Sequence, residues 1–239
     1  MNVMMTNIEY AIDTKKAAAE AALRLVKSKM VLGLGSGTTA KIFVDLLGER
    51  IQRGLLENIV GVPTSEATMR QAAELGISLG HLADFQKLDM AIDGADEVDP
   101  NLNLTKGWGG ALVREKLVGI YAERFVIMVD ESKLVERLGT RGPIPVEVSQ
   151  FAWQAQARWL RETLQCQVER RMDDESPYIT DNQNFILSCS FPNGIIDPYQ
   201  VADRLIHRPG LVGHGLFLDM ATDVFVGKET GVTYLQREK

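Results

Sequence analysis

MVLGLGSGTTAKIFVDLL, residues 30–47, reads as a short buried strand that passes through a glycine-rich turn into an amphipathic helix. The same grammar repeats on either side. Residues 14–27 are Ala-rich with apolar positions at helical spacing. Residues 59–62 are strand-like, and a helix over 65–75 is stopped by Gly76. A third apolar run, 88–92, ends at Asp93; a helix covers 110–122; and a fourth run, 125–129, ends at Asp130. Strands that alternate with helices predict an α/β fold built on a doubly wound, mostly parallel sheet.

After Gly142 the order changes. Pro143 and Pro145 punctuate a strand-like segment, followed by a helix over 151–164, strands over 167–172 and 184–191, a helix over 198–206 and a last run over 211–218. This β-α-β-β-α-β order is the split βαβ pattern of a small α+β domain. Residues 223–235 read as a hairpin around Glu229-Thr230-Gly231 that returns to the first domain. The expected organisation is therefore residues 1–142 with 219–239 as one domain and 143–218 as the other.

A length of 239 residues fits one large or two small domains, and 45% hydrophobic with 24% charged residues excludes wholesale disorder. With 26 Lys and Arg against 32 Asp and Glu, the net charge of -6 leaves no cation excess for a nucleic-acid backbone. A small anion remains possible, since a pocket needs only a few placed donors. Cys166 and Cys189 form no metal-ligand or CxxC spacing, which suits a reducing compartment. Glu9 and Asp13 stand where a signal peptide needs apolar residues, and no run approaches a membrane span, so a cytoplasmic protein is expected.

Four polar motifs follow the strands. Gly33-Leu-Gly35-Ser36-Gly37-Thr38-Thr39 places amides and hydroxyls at the positive end of a helix dipole, which favours an anion. A dinucleotide fingerprint would need glycine where Thr38 stands and no P-loop lysine follows, so the turn suits a compact phosphate or a polyol. The competing reading is a tight turn with a hydroxyl cap. In Asp93-Gly94-Ala95-Asp96-Glu97, with Asp99 beyond, crowded carboxylates repel one another, which argues against decoration, and their spacing does not match a calcium loop.

Lys106-Gly107-Trp108-Gly109-Gly110 leads into a helix bearing Glu115, whose helical neighbours Ala111, Leu112, Val118 and Gly119 offer no ion pair. A carboxyl on such a face is partly desolvated, which moves its pKa up from about 4.3 towards that of a general base. The plainer readings are a surface glutamate and a solvated turn lysine. Asp130-Glu-Ser132-Lys133 alone would be an ordinary cap. Together the motifs fall at carboxyl ends of predicted parallel strands, where open α/β sheets bind ligands.

Assembled in this order, the motifs give a chain that resembles the ribose-5-phosphate isomerases of the A type. The likeness rests on residues 35–39, Asp93-Gly-Ala-Asp96-Glu97, Lys106-Gly-Trp-Gly-Gly-Ala-Leu-Val-Arg-Glu-Lys116, Asp130-Glu-Ser-Lys133 and Pro143-Ile-Pro-Val-Glu-Val148. It implies a Rossmann-like domain with a smaller ferredoxin-like one, assembled as a homodimer or a dimer of dimers. It also implies interconversion of D-ribose 5-phosphate and D-ribulose 5-phosphate without metal or cofactor, in the pentose phosphate pathway or in carbon fixation. Glu115 matches the family's base. Substrate binding is implied for Ser36, Gly37, Thr38, Thr39, Asp93, Gly94, Ala95, Asp96, Lys106, Gly107, Trp108, Gly109 and Lys133.

The chemistry suits these residues. Aldose-to-ketose conversion moves a proton between adjacent carbons through an enediolate, which needs a base such as Glu115 and fixed donors such as Lys106 and the amides of its glycine loop. Asp93 is the candidate for ring opening, and Asp96 for orienting hydroxyls. Lys133 and the loop of Ser36 would share the phosphate and sugar contacts. Two departures from the family pattern stand out: Ser36 replaces a common Thr, keeping the hydroxyl, and Trp108 puts a large ring into a glycine loop. That ring must point away from any substrate the loop amides hold. Rival readings are another sugar-phosphate isomerase, a CoA transferase with a nucleophilic Glu, and a non-catalytic sugar-phosphate sensor. A sensor would need neither Glu115 nor Lys106 and should carry a basic helix-turn-helix absent here.

Overall fold

The computed structural model describes residues 2–238, with side chains from Asp13 onward, so Glu9 lies outside the described side chains. The chain divides into two compact units, one of Met1–Ala95, Leu117–Lys133 and Met220–Lys239, the other of Asp96–Lys116 and Leu134–Asp219.

In the first unit, seven strands form one sheet in the spatial order Gly231–Gln236, Asp223–Lys228, Phe125–Asp130, Met90–Asp93, Val31–Leu34, Val60–Pro63, Ser78–Leu79. Every pairing is parallel except the terminal hairpin. The central strands are buried on both faces, as a parallel sheet requires, which is why they read as continuous apolar runs. Helix α1 is Asn2–Leu23, α2 is Thr38–Gln52 and α3 is Glu66–Glu74. The first starts well before the apolar spacing at residue 14 suggested, and it ends at Leu23 rather than Lys27. Helix α3 starts where expected because Ser65 accepts from the Thr68 amide at 3.1 Å. Leu32, Leu34, Phe43, Leu47, Ile92 and Met128 are among the side chains of this core.

The sheet grows outward in both directions from Val31–Leu34, which lies beside Met90–Asp93. Such a switch point leaves a crevice at the carboxyl ends of the two strands, and both the Gly35 loop and Asp93 begin there. The tail hairpin returns to this sheet as its sequence suggested.

Its anchor is Asp223, fully buried, which accepts from Arg124 Nη2 at 2.7 Å, Tyr234 Oη at 2.6 Å and Thr222 Oγ1 at 2.6 Å. Burial pushes the Asp223 carboxyl up, but the donations from Arg124, Thr222 and Tyr234 outweigh it and hold the pKa below its usual value. Asp223→Asn is therefore expected to cost about 2 kcal/mol at pH 7, as loss of charge-assisted hydrogen bonds does. A lowered pKa contributes stability above the unfolded value of about 3.9 that is lost as the pH falls through the folded value. Urea unfolding should thus separate wild type from variant at pH 7 and bring them together in acid; equal stability at pH 7 would contradict this.

Helix α4, Leu112–Tyr121, contributes residues to both units, as does the Asp93–Asp96 motif. In the second unit, the strands Leu211–His214, Ile144–Val148, Phe185–Ser190 and Gln167–Arg170 lie side by side in an antiparallel sheet, the order 4-1-3-2 along the chain. Helices α5 (Trp153–Leu164) and α6 (Pro198–Ile206) complete the split βαβ pattern. Asp197 caps α6 by accepting from the Gln200 amide, with Pro198 in the first turn. Val146, Leu160, Val168, Leu187 and Leu205 are core residues here.

The division differs from a single boundary near Gly142. Glu97–Val98 pairs with Leu104–Thr105, which pairs with Leu216–Phe217, and this three-stranded sheet draws Asp96–Lys116 into the second unit. Two-residue strands carry no alternation that a sequence can display. Among the described residues, no helix is long and apolar enough to cross a membrane.

Candidate active site

In the first unit, three neighbouring parallel strands deliver their following loops to one edge of the sheet: residues 35–39, 93–95 and 130–133. Asp93 is almost fully buried, and its Oδ1 accepts from the Ser36 amide at 3.0 Å and the Gly94 amide at 2.7 Å. Gly35 is obligatory for this arrangement, because a Cβ there would collide with the Asp93 side chain. Gly37 caps α2 with φ +89, a backbone that side chains rarely adopt, and it leaves the first-turn amides of Thr38 and Thr39 facing outward from the helix end.

Hydroxyls line this loop. Ser36 Oγ and Thr64 Oγ1 are 2.6 Å apart, and Thr68 Oγ1 donates to the Gly35 carbonyl at 2.9 Å. Gly37 and Thr38 are exposed at the mouth of a cleft that Ser65 and Thr68 also line. Lys15 of α1, which sequence reasoning passed over, donates from Nζ to Thr38 Oγ1 at 3.4 Å. Its only sequence signal was a pair of lysines on a helix, indistinguishable from a solvated face. Asp130 accepts from the Ser132 amide at 3.0 Å and from its hydroxyl, which folds 131–133 into a single turn and leaves Lys133 half-buried.

The second unit holds the other candidates. Lys106 is 3% exposed and Glu115 4%, and Lys106 Nζ lies 3.4 Å from Glu115 Oε2. The carboxylate is in the first turn of α4, where the helix dipole favours an anion. The expectation of a glutamate on an apolar face holds, and its cation comes from outside the helix, from the loop nine residues upstream. A buried ion pair of this kind is costly to assemble and seldom retained for stability alone.

The glycine loop between them is fixed on several sides. Asp96 Oδ2 accepts from the Trp108 amide at 3.0 Å, Arg171 Nη1 donates to the Trp108 carbonyl at 2.7 Å, and Tyr178 Oη to the Gly109 carbonyl at 3.3 Å. The Trp108 ring packs over Gly142, and Nε1 donates to the Pro143 carbonyl at 2.9 Å. The indole is thus tied to residues 142–143 and serves as an anchor for the loop.

The acidic cluster divides by task. Glu97, fully buried, accepts from the Gly139 and Arg141 amides, both at 2.6 Å, and from Thr105 Oγ1 at 2.9 Å. Asp99 accepts from the amides of Asn101 at 2.9 Å and Asn103 at 2.8 Å. Backbone donors therefore offset the crowding of charge, and these two carboxylates hold loops. Among the described residues, no group of three or more His, Cys, Asp or Glu could hold a metal ion.

Known proteins share both the sequence and the fold of this chain. The family model "Ribose 5-phosphate isomerase A (phosphoriboisomerase A)" matches residues 60–231. The ribose-5-phosphate isomerase A of Synechococcus sp. (strain JA-3-3Ab) is 47% identical over 95% of this chain and 98% of its own. A probable ribose-5-phosphate isomerase 3, chloroplastic, of Arabidopsis thaliana is 45% identical over 94% of this chain and 83% of its own. A solved D-ribose-5-phosphate isomerase in complex with phospho-erythronic acid superposes with a TM-score of 0.91 at 43% identity, covering 94% of this chain and 98% of that one. Fold and likeness together define an α/β sugar-phosphate isomerase. The chain belongs to the ribose 5-phosphate isomerase A family, whose reaction interconverts ribose 5-phosphate and ribulose 5-phosphate. The CoA-transferase and sensor readings are set aside on that membership.

Proposed function

We propose that Glu115 is the general base of the isomerisation, and the observation that carries this is its buried pairing with Lys106 at 3.4 Å. Glu115 takes the proton from C2 of the open-chain aldose and returns one to C1, while charge gathers on the enediolate oxygens and the O2 proton passes to O1. Lys106 and the amides of the Gly107, Trp108 and Gly109 loop supply the fixed donors for that charge. Asp93 serves ring opening, and Gly94 and Ala95 present their backbone to the sugar. Asp96 orients hydroxyls and, through the Trp108 amide, the loop itself. Ser36, Gly37, Thr38 and Thr39 hold phosphate and sugar oxygens together with Lys133, and Lys15 beside Thr38 adds a second cation. The phospho-erythronic acid bound by the solved relative supports this reading: it combines a phosphate with a planar carboxylate, the shape and charge of an enediolate.

The reading extends to a reaction without metal or cofactor, serving pentose recycling or carbon fixation in the cytoplasm, a compartment that suits the two buried free thiols. It also extends to residues 143–218 as an assembly segment for a homodimer or dimer of dimers. Phe151, Ile196 and Ile206, which the second unit exposes to solvent, support that assembly. The test is conversion of ribose 5-phosphate to ribulose 5-phosphate by protein dialysed against a chelator. Activity within about twofold of untreated protein is expected; a loss that a divalent cation restores would overturn the metal-free reaction.

A further inference from the structure

Lys116 follows Glu115 on α4 and has no part in the reaction as assigned so far. Its ammonium donates to the carbonyls of His214 at 2.7 Å and Leu216 at 2.8 Å and lies 3.3 Å from His214 Nδ1. These three acceptors match the three N–H bonds of a charged lysine. The Leu216 amide also donates to His214 Nδ1 at 3.3 Å, which fixes that nitrogen as an acceptor and puts the ring proton on Nε2. Burial, with the Lys116 charge beside it, lowers the His214 pKa to about 3, so the imidazole is neutral and cannot compete for the role of cation.

The corner that Lys116 grips is also the one that positions Lys106. The Lys106 amide donates to the Gly215 carbonyl at 2.9 Å, and the Gly215 amide to the Pro145 carbonyl at 2.8 Å. Leu216–Phe217 pairs with Leu104–Thr105, the strand that ends just before Lys106. The Phe217 ring lies 4.7 Å from Lys116 Nζ and 5.6 Å from Lys106 Nζ. One aromatic ring thus faces both ammonium groups, and one hydrogen-bonded corner ties the residue after Glu115 to the backbone of Lys106.

We infer that Lys116 is a positioning residue of the isomerisation, holding the corner of His214 to Phe217 against α4 so that Lys106 keeps its place beside Glu115. The inference rests on the assignment of Lys106 and Glu115 to the reaction. Placing a cation here is costly, since burial lowers the Lys116 pKa to about 7. A methionine would fill similar space without that cost. What only the ammonium does is join the two carbonyls, His214 and the ring face. A small displacement of a reacting group is enough to lower kcat severely without weakening binding.

The test measures kcat, KM and melting temperature of Lys116→Met alongside Glu115→Gln. The expected result is a folded Lys116→Met protein with kcat lowered about tenfold or more and KM within about twofold. Unchanged kcat with a lowered melting temperature would show a structural strut only and overturn the inference. Should Lys116→Met fail to fold, Lys116→Gln decides, since it keeps a polar side chain there but is one atom shorter and offers two N–H donors in place of three. A drop in kcat at constant KM supports the inference, and an unchanged kcat overturns it. Glu115→Gln separates the two levels: if it stays active, the assignment of the base fails; if it is inactive while Lys116→Met is normal, only the positioning role fails.

Discussion

Glu115→Gln is expected to lower kcat by about 10²–10⁴-fold, the contribution of a positioned general base, in a protein that still folds but melts at a lower temperature. The substitution keeps size and one acceptor oxygen, so α4 and the packing of Leu112 and Val118 have no reason to move. What it removes is the anion proposed to take a proton from carbon. Lys106 would then face a neutral amide from inside a buried site, which shifts the cost onto the lysine. Circular dichroism and thermal melting establish that the variant is folded, and a direct ribulose 5-phosphate assay reads the rate. A folded variant that keeps its activity within about tenfold of wild type would remove Glu115 from the base role.

Lys106→Met should be nearly as damaging, with kcat down about 10²–10³-fold, the usual effect of losing a donor to a developing oxyanion. Here the loss has a second part, because Glu115 at 4% exposure is left without the ammonium at 3.4 Å. Breaking a buried pair from one side costs roughly 3–5 kcal/mol, so a lower melting temperature is expected as well. The double variant Lys106→Met with Glu115→Gln should recover part of that stability and none of the activity. Recovery of activity, or a single variant with a wild-type rate, would contradict the roles given to the pair.

The parallel sheet was legible because its strands are buried on both faces and therefore read as continuous apolar runs, and the small α+β domain because both of its helices carry apolar stripes and α6 the Asp197 cap with Pro198 after it. The Gly35 loop and Asp93 were legible as motifs, but the reason for the glycine, close approach of the Asp93 side chain, appears only in three dimensions. Glu115 could be singled out by what its helix lacks. Lys106 was legible as a donor from its motif, but its pairing with Glu115 was not, since Lys106 reaches the carboxylate from a loop whose course depends on the short strand pairing of Leu104–Thr105 with Leu216–Phe217. The same pairing hid the grouping of Asp96–Lys116 with the second unit. Lys15, the loop-holding role of Glu97 and the anchor of the Trp108 ring were invisible for a common reason: each is defined by a partner distant in sequence, Thr38, the amides of Gly139 and Arg141, and the Pro143 carbonyl respectively.

With Glu115 as the base, the C2 proton of ribose 5-phosphate leaves to its carboxylate and can be lost to solvent. The most direct measurement is exchange of the C2 hydrogen of ribose 5-phosphate with deuterium oxide, followed by proton NMR, with wild type and Glu115→Gln compared at equal concentrations of folded protein. Wild type should exchange the hydrogen during turnover, and the variant should exchange it slower by about 10²-fold or more. Exchange by Glu115→Gln at the wild-type rate would contradict the account.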